Sequence, residues 1–176
     1  MLERASALAT AHPFAWAALT LGEVRNFTLT QVAGFSKVAE SNIAEIAGLL
    51  PQMNDQAIES NGRTIFRTGP LTFWFVGPEN DDLGARLAGK AIVTPLTSSR
   101  TRISIEGRAA RDVLLKGIPV DLHPSMFTPG KFAMTGLHHT PVLLHCVAEN
   151  RFELYAMRTF ALNIWEWLED AALEFK

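Results

Sequence analysis

The chain has 176 residues and a mass of 19.4 kDa, enough for one ordinary domain or two small halves, which excludes a large multidomain enzyme. Sixteen basic and 18 acidic residues give a net charge of −2, so the chain lacks the strong positive field that attracts nucleic acid or an anionic membrane. The single cysteine, Cys146, excludes an internal disulfide and favours a reducing compartment, of which the cytoplasm is the simplest.

Residues 1–24 form an apolar N-terminal segment in which positions 5–21 carry no formal charge. His12 and Pro13 interrupt this stretch, and no part of it reaches the length of uninterrupted apolar chain that crosses a bilayer. We therefore predict neither an export signal nor a membrane span. We expect the segment to cover the core of its own chain, the alternative being contact with another chain. The large apolar side chains concerned are Phe14, Trp16, Leu19 and Leu21.

The next part of the chain, 25–98, carries strand and helix signals in turn. Alternating apolar and polar residues predict strands, and apolar residues three and four apart predict a helix that Pro51 ends. Asn80 is predicted to begin a short helix that closes at Gly89. The predicted strands are 25–31, 63–68, 71–77 and 91–97, and the predicted longer helix is 36–50.

The remaining part, 99–176, begins again with a strand followed by a helix. The predicted strands are 100–106, 131–137, 142–148 and 151–157, and the predicted helices are 108–116 and 159 to about 174. Because the two parts share this order, we predict an α+β fold of two ferredoxin-like β-α-β half-units with antiparallel sheets, joined near Ser98 and Ser99.

Common motifs for nucleotide, zinc-hydrolase or thiol-redox chemistry, such as G-x-G-x-x-G, H-E-x-x-H or C-x-x-C, do not occur in the sequence. The densest set of possible ligands is His138, His139, His145 and Cys146. Strand alternation sends His145 and Cys146 to opposite faces, so at most one of them can join the two turn histidines. We expect no metal in this chain and keep a metal protein using the three histidines as a weaker alternative.

Two further clusters have both a structural and a functional interpretation. Five basic residues could form an anion site, but the acidic residues near them favour a solvated or self-neutralised surface, with an interface to an acidic partner as the alternative. The last helix has two apolar stripes. Either both stripes are buried within the chain, or one of them, including Trp165 or Trp167, contacts another subunit, where a large aromatic side chain would be an anchor. An exposed stripe would make the isolated chain self-associate. The basic residues are Arg100, Arg102, Arg108, Arg111 and Lys116.

The stretch 99–130 carries a distinctive set of residues. It contains the strand that begins at Arg100, the helix that ends at Gly117, and a loop with Asp121, Leu122, His123, Pro124, Phe127, Pro129 and Gly130. With these features the stretch resembles the gamma subunit family of heterotetrameric sarcosine oxidase. The resemblance continues to about residue 172 through a C-terminal helix with two tryptophans.

This resemblance implies a fold similar to a folate-binding aminomethyltransferase domain, in a small subunit of a complex that oxidatively demethylates sarcosine. It implies alpha, beta and delta subunits as partners, with FAD, FMN and NAD in alpha and beta, zinc in delta, and tetrahydrofolate bound by alpha as the one-carbon acceptor. It implies no catalytic residue and no cofactor in this chain. The same type of subunit is similar to one in N-methylglutamate dehydrogenase, so the amine substrate stays open.

The residues of the loop favour a structural or partner-contacting role on their own. Pro124 restricts His123 to an extended backbone, and Asp121 can bind nearby backbone amides or the imidazole. Phe127 is a further candidate for a structural or partner-contacting residue of this loop. Our main hypothesis is therefore a non-catalytic subunit that contacts the large flavin-bearing alpha chain. The alternative is a free-standing protein that resembles a folate-dependent aminomethyltransferase or binds another small ligand.

Overall fold

The computed structural model describes residues 5–79 and 81–176. These residues form two antiparallel sheets and four α-helices. The strands are β1 Phe14–Ala15, β2 Thr20–Val24, β3 Phe27–Ala33, β4 Ile58–Ser60, β5 Arg63–Gly69, β6 Thr72–Pro78, β7 Ile92–Pro95, β8 Arg100–Glu106, β9 Phe132–Leu137, β10 Thr140–Ala148 and β11 Arg151–Met157. The helices are α1 Lys37–Ala47, α2 Leu83–Leu87, α3 Ala110–Leu115 and α4 Ala161–Ala172.

The larger of two compact units contains residues 5–24, 99–129 and 133–176. Its six strands are ordered β1-β2-β8-β11-β10-β9. Strands β8 and β11 pair along their whole length, with Ile103 opposite Leu154. These two residues lie in the same hydrophobic core as the buried faces of α3 and α4, so one face of the sheet is covered by helices.

The smaller unit contains residues 25–98 and 130–132, of which the structure describes all but residue 80. Its five strands are ordered β4-β5-β6-β3-β7. The apolar face of α1 packs on this sheet, with Ile43 and Ala47 in one core with Phe73 and Phe75 of β6. Helix α1 begins where Ser36 Oγ accepts a hydrogen bond from the Ala39 amide, as expected for an N-cap serine. Strand β7 ends at Pro95 on the sheet edge, where a missing N–H is tolerated.

The fold class predicted from the sequence is confirmed, and the structure adds three strands to the predicted pattern. Strands β1 and β2 come from the N-terminal segment, and β2 pairs with β8 of the larger unit. Strand β4 precedes the predicted hairpin and pairs with β5. The predicted helix start at Asn80 lies outside the described residues, and α2 runs from Leu83 to Leu87.

The N-terminal segment is part of the core of the larger unit. Leu19 and Leu21 are buried, and the rings of Phe14 and Trp16 stack with centroids 4.1 Å apart. Gly107 permits this close packing, because a Cβ atom there would lie 2.3 Å from the Ala18 carbonyl oxygen and its φ of 132° favours glycine.

Candidate functional site

The loop between α3 and β9 holds four of the six residues proposed from the sequence. The Asp121 carboxylate accepts a hydrogen bond from the His123 amide at 2.9 Å, which closes a local turn. His123 Nδ1 lies 2.7 Å from Ser125 Oγ and accepts from the Ser125 amide at 3.3 Å. Asp121 and His123 are thus occupied by separate local contacts. Asp121, His123 and Pro124 are exposed, whereas Phe127 is buried in the core of the larger unit.

Arg111 of α3 binds the backbone of this loop, a role that the sequence did not reveal. Its guanidinium donates to the carbonyl oxygens of Leu122, Phe127 and Glu149, the last two at 3.3 and 3.1 Å. It also lies 4.9 Å from the centre of the Phe152 ring. Arg111 is only 9% exposed. Its contacts connect the loop to the β10–β11 turn and to the core. A buried arginine that saturates backbone carbonyls is a structural anchor.

The five basic residues predicted as one surface cluster separate in the structure. Arg102 binds Glu153, and Lys116 binds Glu174 at 2.6 Å and the Ala171 carbonyl oxygen at 2.6 Å. Arg108 is exposed and lines an open cleft of about 470 Å³ that also contains Asp112 and Lys176. The prediction of a common solvated surface is therefore wrong for Arg111, because the α3 helix turns it inward while Arg108 stays outside.

Glu153 in β11 has a buried carboxylate that accepts hydrogen bonds from two neighbouring side chains. Arg102 of the neighbouring strand β8 donates to its two oxygens at 2.9 and 2.7 Å, and the Tyr155 hydroxyl donates to it at 2.9 Å. Glu153 is 1% exposed, so this bidentate pair compensates the cost of burying its charge. Because three donors occupy its two oxygens, the Glu153 carboxylate has a structural role.

His145 lies opposite Glu153 in the β10–β11 register and is 6% exposed. Burial, aided by the charge of Arg102 and opposed by that of Glu153, lowers the pKa of His145 to about 4. The other histidines of the predicted set, His138 and His139, are exposed in the β9–β10 turn. Across residues 5–79 and 81–176, no three His, Cys, Asp or Glu side chains are arranged to hold a metal ion. The three histidines thus form no ligand set.

The last two proposed residues lie on α4 in different environments. Trp165 is 1% exposed in the core of the larger unit, so its side chain packs within its own chain. Its neighbours Ala161, Leu168 and Ala172 on the same stripe are also buried. Trp167 is half-buried, and its indole covers Gly117, where a Cβ atom would lie 2.6 Å from it.

Large apolar side chains remain exposed on both units. On the smaller unit they lie on α1, on the segments that flank it, and on the edge strand β7. On the larger unit some of them lie at the beginning of α4. Helices long and apolar enough to cross a bilayer are not found in the described parts of the chain. The most exposed of these side chains are Phe35, Val38, Leu49, Met53, Ile92, Met126, Met134 and Leu173.

Comparison with solved structures supports the fold and extends over the whole chain. A chain of the heterotetrameric sarcosine oxidase from Corynebacterium sp. U-96, solved in complex with pyrrole 2-carboxylate, superposes with a TM-score of 0.88 and 28% identity, covering 98% of this chain and 96% of that one. Aminomethyltransferase T of the glycine cleavage system from Bartonella henselae has a TM-score of 0.66 at 18% identity, covering 86% of this chain and 45% of the enzyme. The second match concerns the fold alone.

Comparison of sequences identifies the family. The family model described as "Sarcosine oxidase, gamma subunit family" matches residues 80–174. Sarcosine oxidase subunit gamma of Corynebacterium sp. strain U-96 is 32% identical over 166 residues, 90% of this chain and 81% of the relative. The gamma subunit of Corynebacterium sp. strain P-1 is 32% identical over 147 residues, 81% of this chain and 71% of the relative. The chain therefore belongs to the sarcosine oxidase gamma subunit family.

Proposed function

We propose that this chain is the gamma subunit of a heterotetrameric sarcosine oxidase-type complex and that its role there is structural. The observation that carries the proposal is the superposition of nearly the whole chain on a chain of a heterotetrameric sarcosine oxidase. In the proposed complex, sarcosine is oxidatively demethylated and its one-carbon unit passes to tetrahydrofolate. FAD, FMN, NAD, tetrahydrofolate and zinc are held by the alpha, beta and delta subunits.

The contacts of the polar residues support a non-catalytic role. An acid–base pair needs groups that share a site and can exchange protons with a substrate. Asp121 is engaged by a backbone amide and His123 by Ser125, while Arg102 neutralises Glu153. Burial raises the pKa of the Cys146 thiol, despite an opposing effect of Arg111, which makes it a poor nucleophile.

The exposed apolar side chains support contact with a large partner, which we propose to be the flavin-bearing alpha subunit. Large apolar side chains that are exposed on one chain often mark the surface that a partner protein covers. Phe35 is 74% exposed and Val38 is 71% exposed, so both are available to a partner. On the larger unit, the exposed residues His123, Pro124 and Met126 form a second candidate contact surface. Arg111 fixes the backbone of the loop that carries them.

Coexpression with the three candidate partner subunits tests this function. We expect the tagged chain to co-purify with flavin-containing subunits in equal amounts, and omission of the chain to reduce recovery of the assembled complex. Turnover of sarcosine and of N-methylglutamate by the complex then identifies the amine. A folded, purified chain that binds none of the subunits would contradict the proposal, as would turnover of a methylated amine by the chain alone.

The aminomethyltransferase-like alternative receives support only from the fold. This chain covers 45% of the glycine cleavage enzyme at 18% identity. Saturable binding of tetrahydrofolate by the isolated chain would favour this alternative over the structural role.

A further inference from the structure

We propose that Asn61 is a site of spontaneous deamidation in the native protein and that the modification weakens the contact between the β4–β5 hairpin and α1. The proposal is independent of the function of the complex. It rests on a single two-residue turn, Asn61 and Gly62, between Ser60 and Arg63, which pair with each other across the hairpin.

The turn has the backbone that an asparagine–glycine pair favours. Asn61 has a φ of 52° and Gly62 a φ of 73°, both in the left-handed region that a type I′ turn requires. Both residues are exposed, and a Cβ atom added at Gly62 would meet no other atom within 4 Å. Because Gly62 has no side chain, nothing on this residue hinders attack by its backbone nitrogen.

The chemical step needs only water. The Gly62 backbone nitrogen loses its proton and attacks Asn61 Cγ, a new N–C bond forms, and the amide nitrogen Nδ2 leaves as ammonia. Water then opens the cyclic imide at one of its two carbonyl groups. Opening gives either aspartate or isoaspartate, and in isoaspartate the main chain is one methylene longer.

The native contact of Asn61 explains why the product is destabilising. Its Nδ2 donates to the Ala47 carbonyl oxygen at 3.1 Å, which satisfies a carbonyl at the C-terminal end of α1. A carboxylate has no proton to donate there and adds negative charge to the negative end of the helix. Isoaspartate also lengthens the turn next to Arg63, whose buried guanidinium binds Asp81.

Two other asparagines serve as comparisons, because each shares one feature of Asn61 but is followed by a residue with a large side chain. Asn26 shares the left-handed backbone, with a φ of 59°, but is followed by Phe27. Asn150 shares an exposed hairpin turn, between β10 and β11, but is followed by Arg151. If the absence of a side chain on the next residue controls the reaction, both should react more slowly than Asn61.

Peptide mapping by mass spectrometry, on the folded wild-type chain aged at physiological temperature and mildly alkaline pH, tests the proposal. We expect the exchange of NH2 for OH to accumulate first in the peptide with Asn61, with isoaspartate among the products, and N61Q to lack this modification. Rates at Asn61 no higher than at Asn26 and Asn150, or modification only after unfolding in denaturant, would overturn the assignment.

The effect on stability is measured with N61D and with N54D, a control in an exposed loop position. We expect N61D to lower Tm by about 2–4 °C relative to N54D, as the loss of one hydrogen bond does in a chain of this size. Equal melting temperatures of the two variants would contradict the proposed effect on the hairpin.

Discussion

Each of the two units fixes a connecting segment with one arginine, but the two arginines do so differently. In the larger unit, the Arg111 guanidinium donates to the backbone carbonyl oxygens of three residues. In the smaller unit, Arg67 binds the Glu40 carboxylate at 2.7 Å as well as the Pro51 and Pro70 carbonyls. An arginine side chain can therefore organise a buried loop through backbone carbonyls or form a half-buried ion pair.

The largest effect is expected from Arg111→Ala. Removal of Arg111 leaves the Leu122 and Phe127 carbonyls in a buried environment without their donor and should cost about 3–5 kcal/mol of unfolding free energy. Arg67→Ala should cost about 1–2 kcal/mol, since its partners are nearer to solvent. Urea denaturation measures both.

The exposed Arg108 provides the control for these two variants, and Arg108→Ala should change stability by less than about 0.5 kcal/mol. Arg111→Lys should recover little, because a single ammonium cannot span the carbonyls reached by a guanidinium fork. Full recovery by lysine, or equal losses for Arg111→Ala and Arg108→Ala, would refute the role of Arg111 as a loop anchor.

The units should also differ in their response to acid. The pKa of His145 falls to about 4 in the folded larger unit against about 6.5 in an unfolded chain. The unfolded state therefore binds a proton that the native state does not, and up to about 3 kcal/mol of stability should be lost as pH falls from 6.5 to 4. His145→Gln should flatten this part of the stability profile, measured by urea denaturation at each pH.

A slope that survives in His145→Gln would show that the titration belongs to another group.

In the smaller unit the corresponding group is Asp81, which should act in a lower pH range. Burial would raise the pKa of this carboxyl, but hydrogen bonds from Arg63 and the Leu83 amide, with the charges of Arg63 and Arg86, lower it below its ordinary value. A depressed folded pKa gives stability above the unfolded value of about 3.9 that is lost as pH falls further. Asp81→Asn should be less stable at neutral pH and should lose less on acidification below pH 4.

A smaller effect distinguishes two glycines of the larger unit. Gly107→Ala should cost about 2–3 kcal/mol, because its Cβ would meet the Ala18 carbonyl at a φ of 132°. Gly22→Ala in β2 should be neutral or slightly stabilising, since nothing lies within 4 Å of an added Cβ. Thermal unfolding of both variants measures this. Similar melting temperatures would show that the N-terminal segment is not held as closely as the structure indicates.

The smallest expected effect concerns the exposed turn of the loop. Asp121→Ala removes one acceptor for the His123 amide and should cost about 0.5–1 kcal/mol, with faster hydrogen exchange restricted to the loop. Asp121→Asn keeps an acceptor oxygen and should behave like the wild type. A loss as large as that of Arg111→Ala would place Asp121, rather than Arg111, at the centre of the loop.

The sequence by itself predicted most of the regular elements, because their signals are local. Ser36 and Pro51 bracket the amphipathic pattern of α1, and alternation marks β8 and β11. The resemblance of the loop from Asp121 to Gly130 also led to the correct family. Strands β1 and β2 were missed because their apolar residues alternate only briefly, and their pairing with β8 joins residues far apart in the chain.

The roles of the polar residues depend on the tertiary fold. Arg108 and Arg111 are three positions apart and look alike in the sequence, yet one is exposed and the other is buried under the loop. His145 and Glu153 become neighbours through the β10–β11 register, which brings the histidine into a buried, charged environment. Periodicity records which face of an element is apolar, whereas burial and partners depend on segments distant in the chain. For that reason the family was readable from the sequence and the roles of its charged residues were not.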